Sequence, residues 1–292
     1  MRLVSFKTSA GLSYGIVEDG KLRPASPKTR ATWPDLRSVL AADATTQLFE
    51  GLDGPIPLDE VTLISPIANP DKIICVGLNY ANHIKETGRD KPKFPSIFTR
   101  YPSSVVGHLE PLVRPHVSEQ FDYEGELAVI IGKPGRYINA EDAWSHIAGY
   151  SCFNDGSIRD YQIHTTQFWP GKSFDRTGSM GPWIVTADEL TNITDQYLKT
   201  IVNGEVVQST PINDLAFSIP EIIEYVSQVT ELLPGDVIAT GTPGGVGKFR
   251  TPPLYLFAND IVEVEISSIG TLENPVVDES KWLLTMLSSA AA

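Results

Sequence analysis

The sequence predicts a mainly β fold of the α+β class. Short apolar segments recur along the 292 residues, and 23 glycines and 22 prolines separate them, which is typical of many short strands joined by turns. Few segments have the roughly 3.6-residue spacing of apolar side chains that favours a helix. Strands and helices do not alternate regularly, so a doubly wound parallel sheet is not expected.

Residues 1–65 are predicted to form a small β-rich N-terminal domain. The segments RLVSFKT and LSYGIVEDGKLRPAS have the alternation of strands, and the EDGK of residues 18–21 is typical of a hairpin turn. The segment LRSVLAADATTQLFEGL has helical spacing. The two prolines of SPIANPDK, residues 65–72, indicate a linker, so a second domain is expected over residues 70–285.

The second domain is expected to contain most of the strands. The predicted strands are KIICVGL (72–78), ELAVIIG (126–132), AGYSCFND (148–155), PWIVTA (182–187), YLKTIVNG (197–204), DVIATG (236–241) and DIVEVEIS (260–267). NGEVVQ, residues 203–208, has the pattern of a hairpin turn with its return strand. Helices are expected over SIPEIIEYVSQVTELL (218–233), which has a proline near its start, and over YANHIKETG (80–88).

Composition excludes several classes of function. The formal net charge is −13 and the pI is near 4.8, which argues against nucleic acid or an anionic membrane as a partner. A small anionic substrate needs only a local positive patch or a metal ion, so it remains compatible. The two cysteines cannot build a disulfide framework. No signal peptide or membrane-spanning apolar run is recognisable, and a soluble, cytoplasmic protein is expected.

The segment FDYEGELAVII, residues 121–131, places acids two residues apart directly before an apolar run. On a strand, Asp122, Glu124 and Glu126 would share a face. Clustered carboxylates repel one another unless a positive charge lies between them, and oxygen ligands favour Mg²⁺, Mn²⁺ or Ca²⁺ over Zn²⁺. An exposed strand with solvated acids has the same pattern.

A third ligand is needed, and Asp155 is the candidate because it ends the apolar strand of GYSCFND. The NDG that contains it is also ordinary turn chemistry. Asp160, five residues later, is the rival, with a salt bridge or a helix cap as its expected role. The spacing alone therefore leaves the metal site open.

Three further motifs carry reactive groups. His83 and Glu86 are three residues apart and share a face of the predicted helix, where a carboxylate can orient an imidazole as a general base. The same pair also fits an exposed helix. Lys172, in PGKSFD, would suit an oxyanion or a bound water, although most lysines are simply solvated. LLPGDVIATGTPGGVG, residues 232–247, can direct backbone N–H groups at an anion but also fits a tight turn.

Eight segments in chain order, from about residue 70 to about residue 277, together resemble the fumarylacetoacetate hydrolase family. They are VGLNYANHIKE, FDYEGELAVIIGK, GYSCFNDGSIRDYQ, GKSFD, GPWIVTADEL, VNGEVVQ, LLPGDVIATGTPGGVG and NDIVEVEISSIGTLENPV. The resemblance implies a mixed β-sandwich roll, a homodimer, a small 2-oxo acid as the substrate and no nucleic-acid or membrane partner. The first 65 residues resemble the small leading domain of many members.

The resemblance also implies roles for single residues. Mg²⁺ or Mn²⁺ would be bound by Glu124, Glu126 and Asp155, and Ca²⁺ would be compatible in a crystal; Asp122 matches no ligand of the shorter members. The family's active-site lysine corresponds to Lys172, and its catalytic His–Glu pair, on a mobile lid, corresponds to His83 and Glu86. The positions implied to contact substrate are Arg159, Gln162, Thr242 and Arg100.

This chain departs from the common family pattern at Arg100, where a lysine is frequent, at His108 and at Gly156, and these residues are expected to reshape the pocket. The expected function is metal-dependent hydrolysis of a C–C bond in a 2,4-dioxo acid such as an acylpyruvate, through an enolate. The alternatives are an isomerase, tautomerase or decarboxylase of a 2-oxo diacid that uses the same site. A non-catalytic binding protein with this fold is a third alternative.

Overall fold

The computed structural model describes residues 1–86, 88 and 90–290. Strands dominate it, and their bounds are β1 Arg2–Thr8, β2 Gly11–Glu18, β3 Lys21–Pro24, β4 Ile56–Pro57, β5 Thr62–Ile64, β6 Ile73–Gly77, β7 Ser96–Arg100, β8 Val105–Val106, β9 Leu112–Arg114, β10 Phe121–Asp122, β11 Gly125–Ile131, β12 Ile147–Asn154, β13 Ser157–Ile158, β14 Gly178–Thr186, β15 Tyr197–Val202, β16 Glu205–Pro211, β17 Val237–Ala239, β18 Ile261–Ile266 and β19 Gly270–Asp278. This mainly β content confirms the predicted fold class.

The helices are short, apart from α7 and α8. They are α1 Pro27–Thr32, α2 Leu36–Ala41, α3 Thr45–Glu50, α4 Ala81–Glu86, α5 Arg159–Gln162, α6 Trp169–Lys172, α7 Ile219–Val229 and α8 Glu279–Ala290. Single 3-10 turns cover Leu58–Glu60, Pro102–Ser104, Ala143–His146, Ile193–Asp195, Ile212–Asp214 and Gly247–Phe249. The helix predicted over 80–88 includes Thr87, which lies outside the described residues. No helix in the described part of the chain is long and apolar enough to cross a membrane.

Two mixed sheets form the main layers. Within the described residues, the larger has the strand order β4-β3-β2-β1-β14-β12-β11-β17-β6-β7, with β5 beside β1 and β8 beside β14. The smaller has the order β16-β15-β18-β19-β9, and β10 pairs separately with β13. Most neighbours are antiparallel, whereas β8–β14, β17–β6 and β19–β9 are parallel. These connections are the mixed sheets that the resemblance implied.

The N-terminal strands extend the larger sheet. β1 pairs with β14 in a register that sets Leu3 opposite Ile184. The boundary predicted at residues 65–70 falls between β5 and β6. The predicted turn at residues 18–21 is confirmed, because Glu18 pairs with Lys21 and both Asp19 and Gly20 have positive φ angles, as a two-residue hairpin turn requires.

The central strand β11 is buried on both faces, which explains its continuous apolar sequence. Leu127, Val129 and Ile131 face a core shared with the smaller sheet and α7. Ala128 and Ile130 face the opposite core, which α2, α3 and the N-terminal strands cover. Because strand residues alternate between faces, β11 joins both cores and holds its polar N-terminal end rigidly at the edge of both.

Candidate active site

The pairing of β11 with β12 brings three carboxylates together. The antiparallel register sets Gly125 opposite Asn154, and the Asp155 N–H donates to the Glu124 carbonyl at 2.8 Å. One oxygen from each of Glu124, Glu126 and Asp155 therefore lies within 4.8 Å of the others. The strand predicted through FDYEGELAVII is interrupted after Asp122, so Glu124 lies between β10 and β11 rather than on a continuous strand face.

Among the described residues, three cationic side chains contact this buried carboxylate cluster. Lys172 Nζ, at the end of α6, lies 2.6 Å from Glu124 Oε2 and 2.6 Å from Asp155 Oδ2. Arg159 Nη1 lies 2.6 Å from Glu124 Oε1. Arg100 Nη1 lies 2.5 Å from Asp155 Oδ1. Lys172 is 1% exposed and Asp155 is fully buried, so these charges interact where water screens them little.

Glu126 differs from Glu124 in its charge environment. Burial, and then repulsion from Asp155 and Glu124, raises the pKa of Glu126 well above its usual range. Burial also opposes ionisation of Glu124, but Lys172 and Arg159 outweigh it and lower the pKa of Glu124 to about 2. The pKa of Lys172 is likewise raised, because Asp155 and Glu124 outweigh the effect of its own burial. The cationic side chains therefore compensate the charge of Glu124 better than that of Glu126.

The donor set of this cluster fits a hard divalent cation. Three buried carboxylates with oxygens within 4.8 Å of one another are the ligand chemistry of Mg²⁺ or Mn²⁺. Burial and the neighbouring carboxylates raise the pKa of Glu126, and a cation bound there would favour its charged form. Glu124, Glu126 and Asp155 are the residues that would hold the ion.

The histidine on α4 is oriented by a carboxylate. His83 Nδ1 lies 3.0 Å from Glu86 Oε2, and Glu86 Oε1 accepts the Gly245 N–H at 3.0 Å. Burial alone would raise the pKa of Glu86, but the hydrogen bonds from His83 and Gly245 lower it below its ordinary value. An ionised Glu86 keeps the proton on Nδ1, which leaves His83 Nε2 free to act as a base.

The glycine-rich segment after β17 joins these groups through its backbone. The Gly241 N–H donates to Glu126 Oε2 at 2.8 Å, and the Thr242 hydroxyl donates to the Gly125 carbonyl at 3.0 Å. Because β17 pairs with β11, its C-terminal end lies beside the acidic end of β11. The residues 240–250 are called the roof loop below.

All these elements surround one cavity of about 280 Å³. This volume lies just below the roughly 300–1,000 Å³ of pockets for drug-sized ligands, which suits a compact metabolite. Its polar lining is His83, Glu124, Glu126, Arg159, Gln162, Lys172, Thr242 and Lys248, and its apolar lining includes Val76, Leu78, Phe98, Ile163, Phe168 and Phe249. The cavity thus combines charged and aromatic side chains.

The cavity brings together most of the residues predicted for the site. Of the described residues that line it, Arg159, Gln162 and Thr242 occupy the positions expected for substrate contacts. Asp155 belongs to the carboxylate cluster but is not among the described residues that line the cavity. Arg100, predicted to contact substrate, does not line the cavity, because its guanidinium is enclosed between Asp155, Gly156, Ser104 and Thr177. Its contact is with the carboxylate of Asp155.

The sequence predicts that Arg100, His108 and Gly156 reshape the pocket. None of the three is among the described residues that line the cavity. A Cβ on Gly156 would lie 1.9 Å from the Thr177 carbonyl oxygen, so the backbone approaches too closely for a side chain. Arg100 Nη1 donates to the Gly156 carbonyl at 2.8 Å, and these two departures from the family pattern are therefore in direct contact.

Replacing Arg100 by lysine is expected to lower the free energy of unfolding by about 1–3 kcal/mol, because a buried ammonium cannot reach all the acceptors of the guanidinium. Chemical denaturation of the metal-free protein measures the change. Arg23→Lys is the matched control, since Arg23 pairs with Glu18 at the surface, and it should change stability by less than about 0.5 kcal/mol. Equal effects in both variants would contradict the buried role of Arg100.

Sequence reasoning missed several residues of the site. Gln208, on β16, accepts the Gly125 N–H at 3.0 Å and donates to the Thr242 hydroxyl at 2.9 Å, so it links β11 to the roof loop. Nothing in its local sequence signals this contact. Asp122, set aside because it matches no ligand, is fully buried and accepts Arg159 Nε at 2.7 Å. The position of Asp122 directly before an apolar run was the signal in the sequence that could have indicated its burial.

Comparisons with known proteins identify relatives of this chain. The family model described as fumarylacetoacetate (FAA) hydrolase C-terminal matches residues 72–277. The chain is 38% identical over 95% of its length to oxaloacetate tautomerase Fahd2a, mitochondrial, of Rattus norvegicus, and covers 92% of that protein. It is 47% identical over 75% of its length to oxaloacetate tautomerase YisK of Bacillus subtilis (strain 168), and covers 74% of it.

A solved structure gives the same relationship. Maleylpyruvate hydrolase from Sphingobium sp. SYK-6, in complex with manganese (II) ion and pyruvate, superposes with a TM-score of 0.78 at 31% identity. The alignment covers 95% of this chain and 99% of that one. The matched segment includes the carboxylate cluster, the His–Glu pair and the roof loop, and this chain is therefore an enzyme of the fumarylacetoacetate hydrolase family.

Proposed function

We propose that this enzyme interconverts the keto and enol forms of a 2-oxo dicarboxylic acid of the oxaloacetate type. The observation that carries the proposal is the placement of His83 in the same cavity as Lys172 and the carboxylate cluster. A base and a set of groups that stabilise negative charge are what enolisation requires. The relatives named oxaloacetate tautomerase support this reaction over the C–C hydrolysis that the family resemblance first suggested.

In the proposed reaction each of these side chains has a role. His83 Nε2 removes a proton from carbon 3 of the substrate, and the electron pair moves onto the 2-oxo oxygen. That oxygen then takes up a proton, either from the His83 imidazolium or from solvent with which the imidazolium exchanges its proton. The reverse sequence restores the ketone, and no carbon–carbon bond breaks. The ammonium of Lys172 and the guanidinium of Arg159 face the developing negative charge from a buried position. When bound by Glu124, Glu126 and Asp155, a divalent cation supplies Lewis acidity that polarises the carbonyl.

The direct test follows the ultraviolet absorbance of enol oxaloacetate after addition of the Mn²⁺-loaded enzyme. We expect its decay to be faster than in buffer with Mn²⁺ alone. In deuterium oxide, deuterium should appear at carbon 3 before any pyruvate forms. A decay equal to that of the buffer control would contradict the proposal, and pyruvate released without faster tautomerisation would favour a decarboxylase.

Replacing His83 by glutamine is expected to lower kcat for tautomerisation by about 10²- to 10⁴-fold, the usual contribution of a general base. His146→Gln is the matched control, because His146 is also buried but contacts the Lys133 carbonyl, outside the cavity lining. It should retain the wild-type kcat. Steady-state kinetics at saturating Mn²⁺ separates the two, and equal kcat values for both variants would remove His83 from the mechanism.

Hydrolysis of an acylpyruvate is the second candidate. The geometry of the His83–Glu86 pair, at 3.0 Å, also suits activation of a water molecule, and the manganese- and pyruvate-bound neighbour is named a maleylpyruvate hydrolase. Release of pyruvate from a panel of acylpyruvates, measured with a coupled dehydrogenase, tests it. If kcat/KM for such a substrate exceeds that for enol oxaloacetate, hydrolysis is the main activity.

A further inference from the structure

Asp122 lies buried at the junction of three parts of the active site. It ends β10, and the pairing of β10 with β13 sets it opposite Ser157. Arg159 follows β13 directly, so the register brings this arginine to Asp122. The side chain of Asp122 is fully buried. A carboxylate in such a position must be compensated by donors.

Four N–H groups supply that compensation. Arg159 Nε donates to Asp122 Oδ2 at 2.7 Å. The backbone N–H groups of Gly247 and Lys248 donate to Oδ1 at 2.8 Å and to Oδ2 at 2.9 Å. The Tyr123 N–H adds a fourth contact at 2.8 Å. Asp122 therefore joins Arg159 to the far end of the roof loop.

The roof loop in turn holds the base and a carboxylate of the cluster. Its Gly241 N–H donates to Glu126 at 2.8 Å, and its Gly245 N–H donates to Glu86 at 3.0 Å. Phe249, beyond the Asp122 contacts, lies with its ring centroid 6.2 Å from that of His83. The conformation of this loop thus sets the position of the His–Glu pair, and Asp122 anchors the loop where it covers the cavity.

The contact with Asp122 also affects the orientation of Arg159. Its Nη1 is occupied by Glu124 and by Gln162, at 2.6 and 3.0 Å. Its Nη2 is buried and has no hydrogen-bond partner among the described residues, although the side chain lines the cavity. A buried donor without a partner is costly unless a ligand satisfies it. Because Asp122 holds Nε, it determines the direction in which Nη2 points.

We propose that Asp122 is a positioning residue for the tautomerisation. It orients Arg159 towards a carboxylate of the substrate and fixes the roof loop over His83. The inference rests on the proposed function and adds to it a residue outside the carboxylate cluster and the His–Glu pair. It separates two tasks of neighbouring acids in one segment, since Glu124 and Glu126 would hold the cation, whereas Asp122 would act through Arg159 and the loop.

The test compares Asp122→Asn with Asp236→Asn. Asp236 is a matched control because it is also a fully buried carboxylate. It accepts the backbone N–H groups of Lys72 and Leu233 and the side-chain ammonium of Lys72. It lies outside the cavity lining. Isothermal titration calorimetry measures Mn²⁺ binding, and then oxalate binding to the Mn²⁺-loaded protein, with oxalate as the dicarboxylate probe.

For Asp122→Asn we expect oxalate affinity to fall by about 10- to 100-fold, the usual cost of removing a group that orients a ligand residue. Mn²⁺ affinity should stay within about threefold. Asp236→Asn should keep both affinities, even if its melting temperature falls. Unchanged oxalate affinity in Asp122→Asn, or an equal loss of Mn²⁺ and oxalate affinity, would overturn the proposal.

Steady-state kinetics gives a second readout, a change in KM and kcat that a merely structural role would not produce. In Asp122→Asn, KM should rise because Arg159 is misdirected, and kcat should fall because the loop over His83 is released. If Asp122→Asn does not fold, Asp122→Glu carries the same binding test, since it keeps the charge but moves both oxygens by one methylene group. Selective loss of oxalate affinity supports the proposal, and an unchanged affinity or an equal loss of Mn²⁺ affinity overturns it.

The binding measurements also separate this proposal from the proposed function. If the wild-type protein binds Mn²⁺ and oxalate but does not accelerate tautomerisation, the proposed reaction is wrong. The role of Asp122 is then judged by oxalate affinity alone. If tautomerisation is accelerated but Asp122→Asn retains its oxalate affinity, the reaction stands and the positioning role fails.

Discussion

Glu126→Gln should abolish binding of the divalent cation and lower kcat/KM for tautomerisation by on the order of 10³-fold, because Lewis-acid stabilisation contributes several kcal/mol. The substitution keeps the shape of the side chain but removes a carboxylate that a bound cation would need as a ligand. Calorimetric titration with Mn²⁺ and the rate of enol decay measure the two effects. Turnover that survives in this variant without metal would show that the carboxylate cluster is not a metal site.

Glu126→Gln should not lose stability in the absence of metal. Burial, Asp155 and Glu124 raise the pKa of Glu126, so its charged form is disfavoured in the folded protein. The glutamine variant should therefore melt no lower than the wild-type protein when no metal is present. A ligand present at a concentration of 100 times its dissociation constant stabilises a protein by about 2.7 kcal/mol. Mn²⁺ at that concentration should stabilise the wild type by this amount, and Glu126→Gln should lose that stabilisation.

Glu110→Gln is the control for this experiment. Glu110 is partly buried and accepts the Gly107 N–H at 2.7 Å and Arg176 Nη2 at 3.3 Å, outside the lining of the cavity. This variant should bind Mn²⁺ and catalyse tautomerisation as the wild type does. A loss of Mn²⁺ binding in both variants would mean that the effect does not come from the cluster.

Lys172→Met is expected to lower the stability of the metal-free protein by about 3–5 kcal/mol, because removing one partner of a buried ion pair leaves the other uncompensated. Two carboxylates, Glu124 and Asp155, lose a contact at 2.6 Å. Mn²⁺ should restore more stability to this variant than to the wild type, since the cation replaces the missing charge. Chemical denaturation with and without Mn²⁺ measures the difference.

Catalysis by Lys172→Met should also fall, by about 10²- to 10³-fold, as for the loss of one donor to a developing oxyanion. The control is Lys199→Met, because Lys199 and Glu265 form a partly exposed pair at 2.9 Å. Such pairs contribute only about 0.2–1 kcal/mol. A variant of Lys172 that is as stable as this control would refute the buried contacts described here.

Local patterns in the sequence were sufficient for the hairpin turns and for the start of α7. Asp19–Gly20 and Asn203–Gly204 occupy two-residue turns with positive φ angles, and the strands on either side pair as predicted. Helix α7 begins at Ile219, directly after Ser218, whose side chain forms a capping box with Glu221. These features depend on residues close together in the chain, so local propensity determines them.

Local sequence pattern was not enough to predict the carboxylate cluster. Period-two spacing placed Glu124 and Glu126 together, but the spacing also placed Asp122 with them on one face. In the structure the strand is interrupted after Asp122, which therefore turns to Arg159 instead. The position of Asp155 at the end of an apolar strand made it the candidate third member, and the ordered family motifs favoured it over the alternatives.

By itself, the sequence determined the fold class and the hairpin turns, and it supplied the candidate acids, the candidate base and the candidate lysine. Only the tertiary structure decided the partner of each. Arg100 contacts Asp155 across 55 positions of sequence, and Gly247 contacts Asp122 across 125. The physical reason is that strand register and loop closure set these contacts, and both depend on how the whole sheet packs its two faces.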